Sequence, residues 1–147
     1  MTGRSTLAQL DPRTAAEQVF AEHEGAWLDA FTEHLDRRRF GQSLARTLSV
    51  WGLSQADAAR LLGVSRQAVG KWLENGVPSD RIELVADLAA TTDLLVHYLK
   101  RDRIPAVVRR PIHARARVSL LQMLAQGRST ELLETCRDMF DFARANR

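Results

Sequence analysis

The stretch Leu53-Ser-Gln-Ala-Asp-Ala-Ala-Arg-Leu-Leu-Gly-Val-Ser-Arg-Gln-Ala-Val-Gly-Lys-Trp72 reads as two short helices joined by a tight turn. Ser54 is an N-cap for Gln55 to Leu62, and Gly63 stands where the turn needs a positive φ, a conformation that only glycine adopts cheaply. Ser65 caps a second helix from Arg66 to Glu74, which Asn75-Gly76 ends. Ala59 is small enough for two helices to cross closely, and Ala58, Leu62, Val64, Val69 and Trp72 supply the apolar contacts between them. At 100° per residue, Ala68, Val69 and Trp72 turn one way. Arg66, Gln67, Gly70 and Lys71 fall within about 140° on the other side, a polar face with long arms.

Outward from this pair the same helical period continues. Pro12, Pro78, Pro105 and Pro111 leave long segments with 3.6-residue apolar spacing and no alternating strand pattern, so an all-α fold is expected, a helix-turn-helix domain flanked by an N-terminal helix and a C-terminal helical region. The first segment places Ala16, Val19, Phe20, His23, Ala26, Trp27, Ala30, Phe31 and Leu35 on one face, with Gly25 a candidate break. Phe40, Leu44 and Leu48 read as a further helix up to Trp51-Gly52. A longer stretch from Pro78 to Lys100 follows, with a candidate interruption at Thr91-Thr92. After a proline-containing span, Val118 to Leu124 and then Leu132, Leu133, Cys136, Met139, Phe140 and Ala143 keep helical spacing. The expected organisation is an N-terminal extension over 1–39, a helix-turn-helix domain over 40–100, a basic linker over 101–117 and a C-terminal interaction region over 118–147.

The 147 residues, 45% hydrophobic and 27% charged, suit one compact domain or two very small ones sharing a core. No apolar run approaches the roughly 20 residues needed to span a bilayer, and Met1 to Leu10 lack a secretion pattern, so a cytoplasmic protein without membrane contact is expected. One cysteine, Cys136, and four scattered histidines, His23, His34, His97 and His113, argue against a disulfide or a metal site, and no cofactor is expected. With no Ser/His/Asp arrangement, carboxylate pair or phosphate-cradling glycine loop, an enzyme is not expected.

The cations are 19 arginines against 2 lysines. Arginine suits bidentate contacts with phosphates and base edges, although a GC-rich genome gives the same skew. The net charge of +3 is uneven: −2 over residues 1–40, zero over 41–100 and +5 over 101–147. An α-helix fits the major groove of double-stranded DNA, where Arg and Lys pair with guanine and Gln with adenine. Arg66 and Gln67 stand near the start of the second helix, where such contacts are made. Gln55, with the free amides at the start of the first helix, is placed to hold a backbone phosphate, and Gly70 permits close approach to the groove. The plainer alternative is a helical hairpin with a solvated polar face.

Residues 40 to about 90 resemble the helix-turn-helix of the Xre/Cro family of bacterial and phage regulators, and Trp72-Leu-Glu-Asn-Gly-Val-Pro-Ser-Asp-Arg81 is similar to the segment after its recognition helix. The resemblance implies that Gln55 clamps phosphate, Ser65 caps and touches the DNA backbone, and Arg66, Gln67 and Lys71 read bases. Gly70 departs from it, since relatives carry a larger side chain there. The region from Ile104 to Ala143, with Ser119-Leu-Leu-Gln-Met-Leu-Ala-Gln-Gly-Arg-Ser-Thr-Glu-Leu-Leu133 at its centre, weakly resembles the C-terminal region of Xre/MbcA/ParS-type antitoxins. In that family the helix-turn-helix binds the operon's own promoter and the C-terminal region covers a partner toxin, often of an NAD-consuming type. His113-Ala-Arg-Ala-Arg117 replaces the usual glycine-containing motif.

A single module of this size makes few phosphate contacts, so a homodimer on an inverted-repeat operator is expected. Trp27 and Phe31 in the N-terminal helix, and Leu133, Met139, Phe140 and Phe142 in the last one, are candidates for dimer or partner contacts, with packing inside the chain as the alternative. Arg109, Arg110, Arg115 and Arg117 are candidates for DNA backbone contacts, or else solvated charges and partners of Glu131, Glu134 and Asp138. The expected function is a sequence-specific repressor that autoregulates its operon as an antitoxin with a cognate toxin. The alternatives are a stand-alone or phage immunity repressor, and an interaction scaffold.

Overall fold

The computed structural model describes residues 6–145, with side chains over 7–141, so the candidate contact Phe142 lies outside the described side chains. The fold is all-α. Its helices are α1 (Pro12–Glu22), α2 (Gly25–Trp51), α3 (Gln55–Leu62), α4 (Arg66–Asn75), α5 (Ile82–Tyr98), α6 (Ile104–Arg109), α7 (Leu120–Ala125) and α8 (Ser129–Ala145), with short 3-10 turns between several of them. Among the described residues, no helix is long and apolar enough to cross a membrane.

Helix boundaries follow local chemistry. Asp11 caps α1 by accepting from the Thr14 amide at 3.1 Å, with Pro12 in the first turn where its missing N–H costs nothing. Ser54 and Asp57 form a reciprocal capping box at the start of α3, and Ser119 and Gln122 form another at the start of α7. Gly63 ends α3 in the left-handed region at φ 66°.

Three sequence expectations change. The long amphipathic segment breaks at His23, whose φ and ψ of −129° and 150° are extended, and α2 then runs unbroken to Trp51 instead of ending before Phe40. Nothing between Leu35 and Phe40 interrupts a helix, as the intervening Asp36-Arg37-Arg38-Arg39 carries neither proline nor glycine. The expected interruption at Thr91-Thr92 is absent. Both hydroxyls fold back onto the preceding turn, Thr91 Oγ1 donating to the Asp87 carbonyl and Thr92 Oγ1 to the Leu88 carbonyl, each at 2.8 Å. Thr92 Oγ1 also accepts from Trp51 Nε1 and lies beside Thr47 Oγ1, both at 3.1 Å, so a buried polar knot joins α2 to α5.

Nor is the span 101–117 an open linker. Pro105 opens α6, and Ile104 and Val108 are fully buried; after Pro111, Ile112 pairs with Val118 and closes a short loop. The chain divides into two compact units, residues 1–36 and 37–147, a partition that differs from the four expected segments. In the larger unit one core draws on every helix: Leu44, Leu48 and Trp51 of α2, Ala58 and Ala59 of α3, Val69 and Trp72 of α4, Leu88 and Leu95 of α5, Ile104 of α6, Met123 of α7, and Leu132, Cys136 and Phe140 of α8. Each fully buried aliphatic side chain contributes about 1.5–3 kcal/mol. In the smaller unit, Val19 is the buried hydrophobic residue among those described.

Candidate nucleic-acid interface

Helices α3 and α4 are held as one piece by Ala58, Ala59, Val69 and Trp72, all buried. Ser65 Oγ accepts from the Ala68 amide at 3.0 Å, which satisfies one free donor in the first turn of α4 and sets the direction in which that helix leaves the turn. The burial of Val69 and Trp72 fixes the rotation of α4 about its axis. Arg66, Gln67 and Lys71 are consequently exposed along its outer face. The presented chemistry is two cations and one amide on a helix, donors for base edges and phosphates.

Gln55 and Gly70 meet. A Cβ built at Gly70 lies 3.6 Å from Gln55 Oε1, so the glutamine at the start of α3 reaches across the backbone of α4 at its glycine. Gln55, Gly70 and the exposed trio therefore form one continuous surface, with Gln55 beside Gly70 instead of an open gap. Asp57, next to the same helix start, has its carboxyl held below the ordinary 3.8 by hydrogen bonds from the Ser54 amide and hydroxyl, and further by the charges of Arg60 and Arg109. It stays ionised, and Arg60 pairs with it at 3.2 Å.

The supports of α4 include residues that sequence reasoning missed. Arg37 Nε donates to the Val77 carbonyl at 3.0 Å, and the Arg81 guanidinium lies 5.7 Å from the ring centre of Trp72. Gly41 allows α2 to touch the end of α4, since a Cβ there would come within 2.6 Å of the Trp72 carbonyl oxygen. The only hint in the sequence was the pair of glycines, Gly41 and Gly76, which carried no sign that they face each other.

Of the basic residues of 101–117, Arg109 and Arg115 have partners within the chain. Arg109 caps the end of α2: its Nη1 donates to the Trp51 carbonyl at 2.9 Å and the Pro105 carbonyl at 2.7 Å, and its Nη2 to the Gly52 carbonyl at 3.1 Å. A guanidinium held by three carbonyls is an internal latch. Arg115 pairs with Asp138 at 2.6 Å, the alternative partner expected for it. Arg110 and Arg117 are exposed.

Of the candidate contacts in the last helix, Leu133 and Phe140 are each 8% exposed, and Phe140 stacks on Tyr98 with centroids 4.5 Å apart. Packing inside the chain consumes most of their surface. Met139 differs, lining a cavity of about 490 Å³ with Ile112, Ala114, Arg115, Thr135 and Asp138. Trp27 and Phe31 are exposed and stacked on each other, centroids 4.9 Å apart. Cys136 is fully buried, and burial pushes its thiol up to about 12, so it is protonated and inert at neutral pH.

No protein-family model matches the chain, and no curated protein matches it. Among solved structures, it is similar to a chain of the M. tuberculosis MbcT-MbcA toxin-antitoxin complex, with a TM-score of 0.55 and 18% identity over 67% of this chain and 91% of that one. At that identity the likeness is one of fold: about two thirds of the chain shares a helical arrangement with a protein of a toxin-antitoxin complex.

Proposed function

We propose that the chain is a sequence-specific DNA-binding regulator, a repressor of Xre/Cro type that acts as a homodimer on an inverted-repeat operator and serves as the antitoxin of a cognate toxin. The observation that carries the DNA reading is the outer face of α4, where Arg66, Gln67 and Lys71 stand exposed on a helix whose other face is locked into the core. In the proposed mode α4 lies in the major groove, Arg66 and Gln67 reach base edges, and Lys71 meets a base edge or phosphate. Gln55 and the first amides of α3 hold the flanking phosphate, with Gly70 leaving room beside the Gln55 side chain. Operator occupancy then excludes polymerase.

The antitoxin part is supported by the likeness in fold to a chain of the MbcT-MbcA complex. The cavity at Met139, walled by the loop of Ile112 to Arg115 and by α8, is the recess in the C-terminal region open to a partner protein.

The test is binding to the chain's own upstream DNA in competition with random duplex at a stated near-physiological salt. A preference of about a thousandfold or more is expected. Arg66→Ala should lose about 1–3 kcal/mol on the preferred site and relax selectivity at one base pair. Equal losses on operator and random duplex would sink the base-reading role. For the partner, co-expression with an adjacent toxin-like reading frame should yield a complex whose toxicity is relieved; unrelieved toxicity removes the antitoxin reading.

A further inference from the structure

Of six large apolar side chains left exposed among the described residues, five belong to residues 1–36: Leu7, Phe20, Trp27, Phe31 and Leu35. We infer that this face, built on α1 and the first turns of α2, is the seam at which a second copy of the chain docks. The inference rests on the two-copy reading above and names its surface.

The unit buries little of its apolar surface: among the described residues, Val19 is its buried hydrophobic side chain. Between α1 and α2 an apolar groove of about 330 Å³ remains, lined on one side by Ala15, Ala16 and Val19 and on the other by Leu28, Phe31 and Leu35.

The area fits a dimer. Phe20, Trp27, Phe31, Leu35 and Leu7 are 66, 44, 37, 45 and 39% exposed. At about 150–250 Å² for each large side chain, they leave roughly 450 Å² uncovered. A standard-size interface buries about 800 Å² per copy, of which about 57% is apolar, or roughly 450 Å². The shape suits self-association too. A two-fold interface needs one patch to carry both ridge and groove. Phe20, part of the groove's own wall and 66% exposed, is the side chain left to fill a partner's groove, and two such helix pairs side by side make a four-helix bundle.

Charge gives the inference its discriminating sign. Residues 1–36 carry two arginines and seven acidic groups, a net −5, so two copies of this unit repel each other through their net charge. Salt screens that repulsion and should tighten the dimer, whereas association with a basic partner would loosen.

Sedimentation equilibrium of the full chain tests this without DNA. Wild type should be dimeric at about 10 µM and tighten as salt rises. Phe20→Gln and Leu35→Gln should each weaken association by about 100-fold, with the melting temperature of the monomer unchanged, while Phe20→Leu stays within about tenfold of wild type. A wild type still monomeric at about 100 µM overturns the inference, as does a dimer untouched by both glutamine variants or one that loosens with salt. A dimer that meets these criteria but fails to bind its upstream DNA leaves the seam standing and removes only the DNA reading.

Discussion

Arg37 and Val77 exchange two hydrogen bonds, the Val77 amide donating to the Arg37 carbonyl and Arg37 Nε donating to the Val77 carbonyl, each at 3.0 Å. This clamp fastens the chain leaving α4 to α2, at a point where backbones touch. A Cβ at Gly76 would lie 2.9 Å from the Arg37 carbonyl carbon, and φ there is 112°. The direction in which α4 presents its outer face is thus held from behind by a contact that only glycine permits.

Glycine substitutions in this region should therefore split by sign. Gly76→Ala, and Gly41→Ala against the Trp72 carbonyl, should each destabilise by about 2–4 kcal/mol, because the obstructing atoms are backbone. Gly70→Ala meets only Gln55 Oε1 at 3.6 Å, ordinary contact, and should stabilise by about 0.5–1 kcal/mol as a helix-interior change. Urea denaturation of the three variants checks both signs.

Arg109→Ala should unlatch α6 from the end of α2. Loss of charge-assisted bonds to the Trp51 and Gly52 carbonyls is expected to cost about 1.5–3 kcal/mol. At a temperature where the variant is fully folded, its DNA affinity and salt dependence should match wild type. A reduced salt slope would return Arg109 to the phosphate contacts.

Thr135→Val should stabilise the protein. The Thr135 hydroxyl is buried with no hydrogen-bond partner, and valine keeps the shape while removing the stranded group, a gain of about 1 kcal/mol. Thermal unfolding should show a rise of a few degrees; a fall would mean that the hydroxyl has a partner in solution.

The Cys136 thiol predicts an alkaline limit. Its folded value, about 12, lies above the ordinary 9.0, so the folded state holds its proton where the unfolded chain releases it. This contribution is fully present below about pH 9 and is lost as pH rises from there through about 12. Denaturation from pH 8 to 11 should show stability falling in wild type and falling less in Cys136→Ala. At pH 8 a thiol reagent should label the folded protein only at the rate of opening.

Much of the architecture was written locally. Ser54, Gly63 and Ser65 act within a few residues of themselves, through a capping hydroxyl or a left-handed φ, so the boundaries of α3 and α4 could be read without knowing what surrounds them. The 3.6-residue period of Val69 and Trp72 likewise put Arg66, Gln67 and Lys71 on the side away from the core, and they are exposed there. The internal roles of Arg109 and Thr92 escaped the sequence for the opposite reason. A guanidinium in a basic run looks free until the carbonyls of Trp51 and Gly52 are brought to it from 58 and 57 residues away, and a threonine pair looks like a break until Trp51 Nε1 and Thr47 arrive to use its hydroxyl.

By itself, then, the sequence determined the all-α class, the helix pair at Gln55 to Leu62 and Arg66 to Glu74, one residue short of the observed end at Asn75, and the polar face of the second helix, because caps, turn glycines and periodicity act over one or two turns of chain. Only the tertiary structure decided which glycines are backbone contacts, that 101–117 is packed around Ile104 and Val108, and that Arg109 serves α2. Those outcomes depend on atoms distant in sequence becoming neighbours, and no local pattern of residues encodes which carbonyl a long cationic arm will reach.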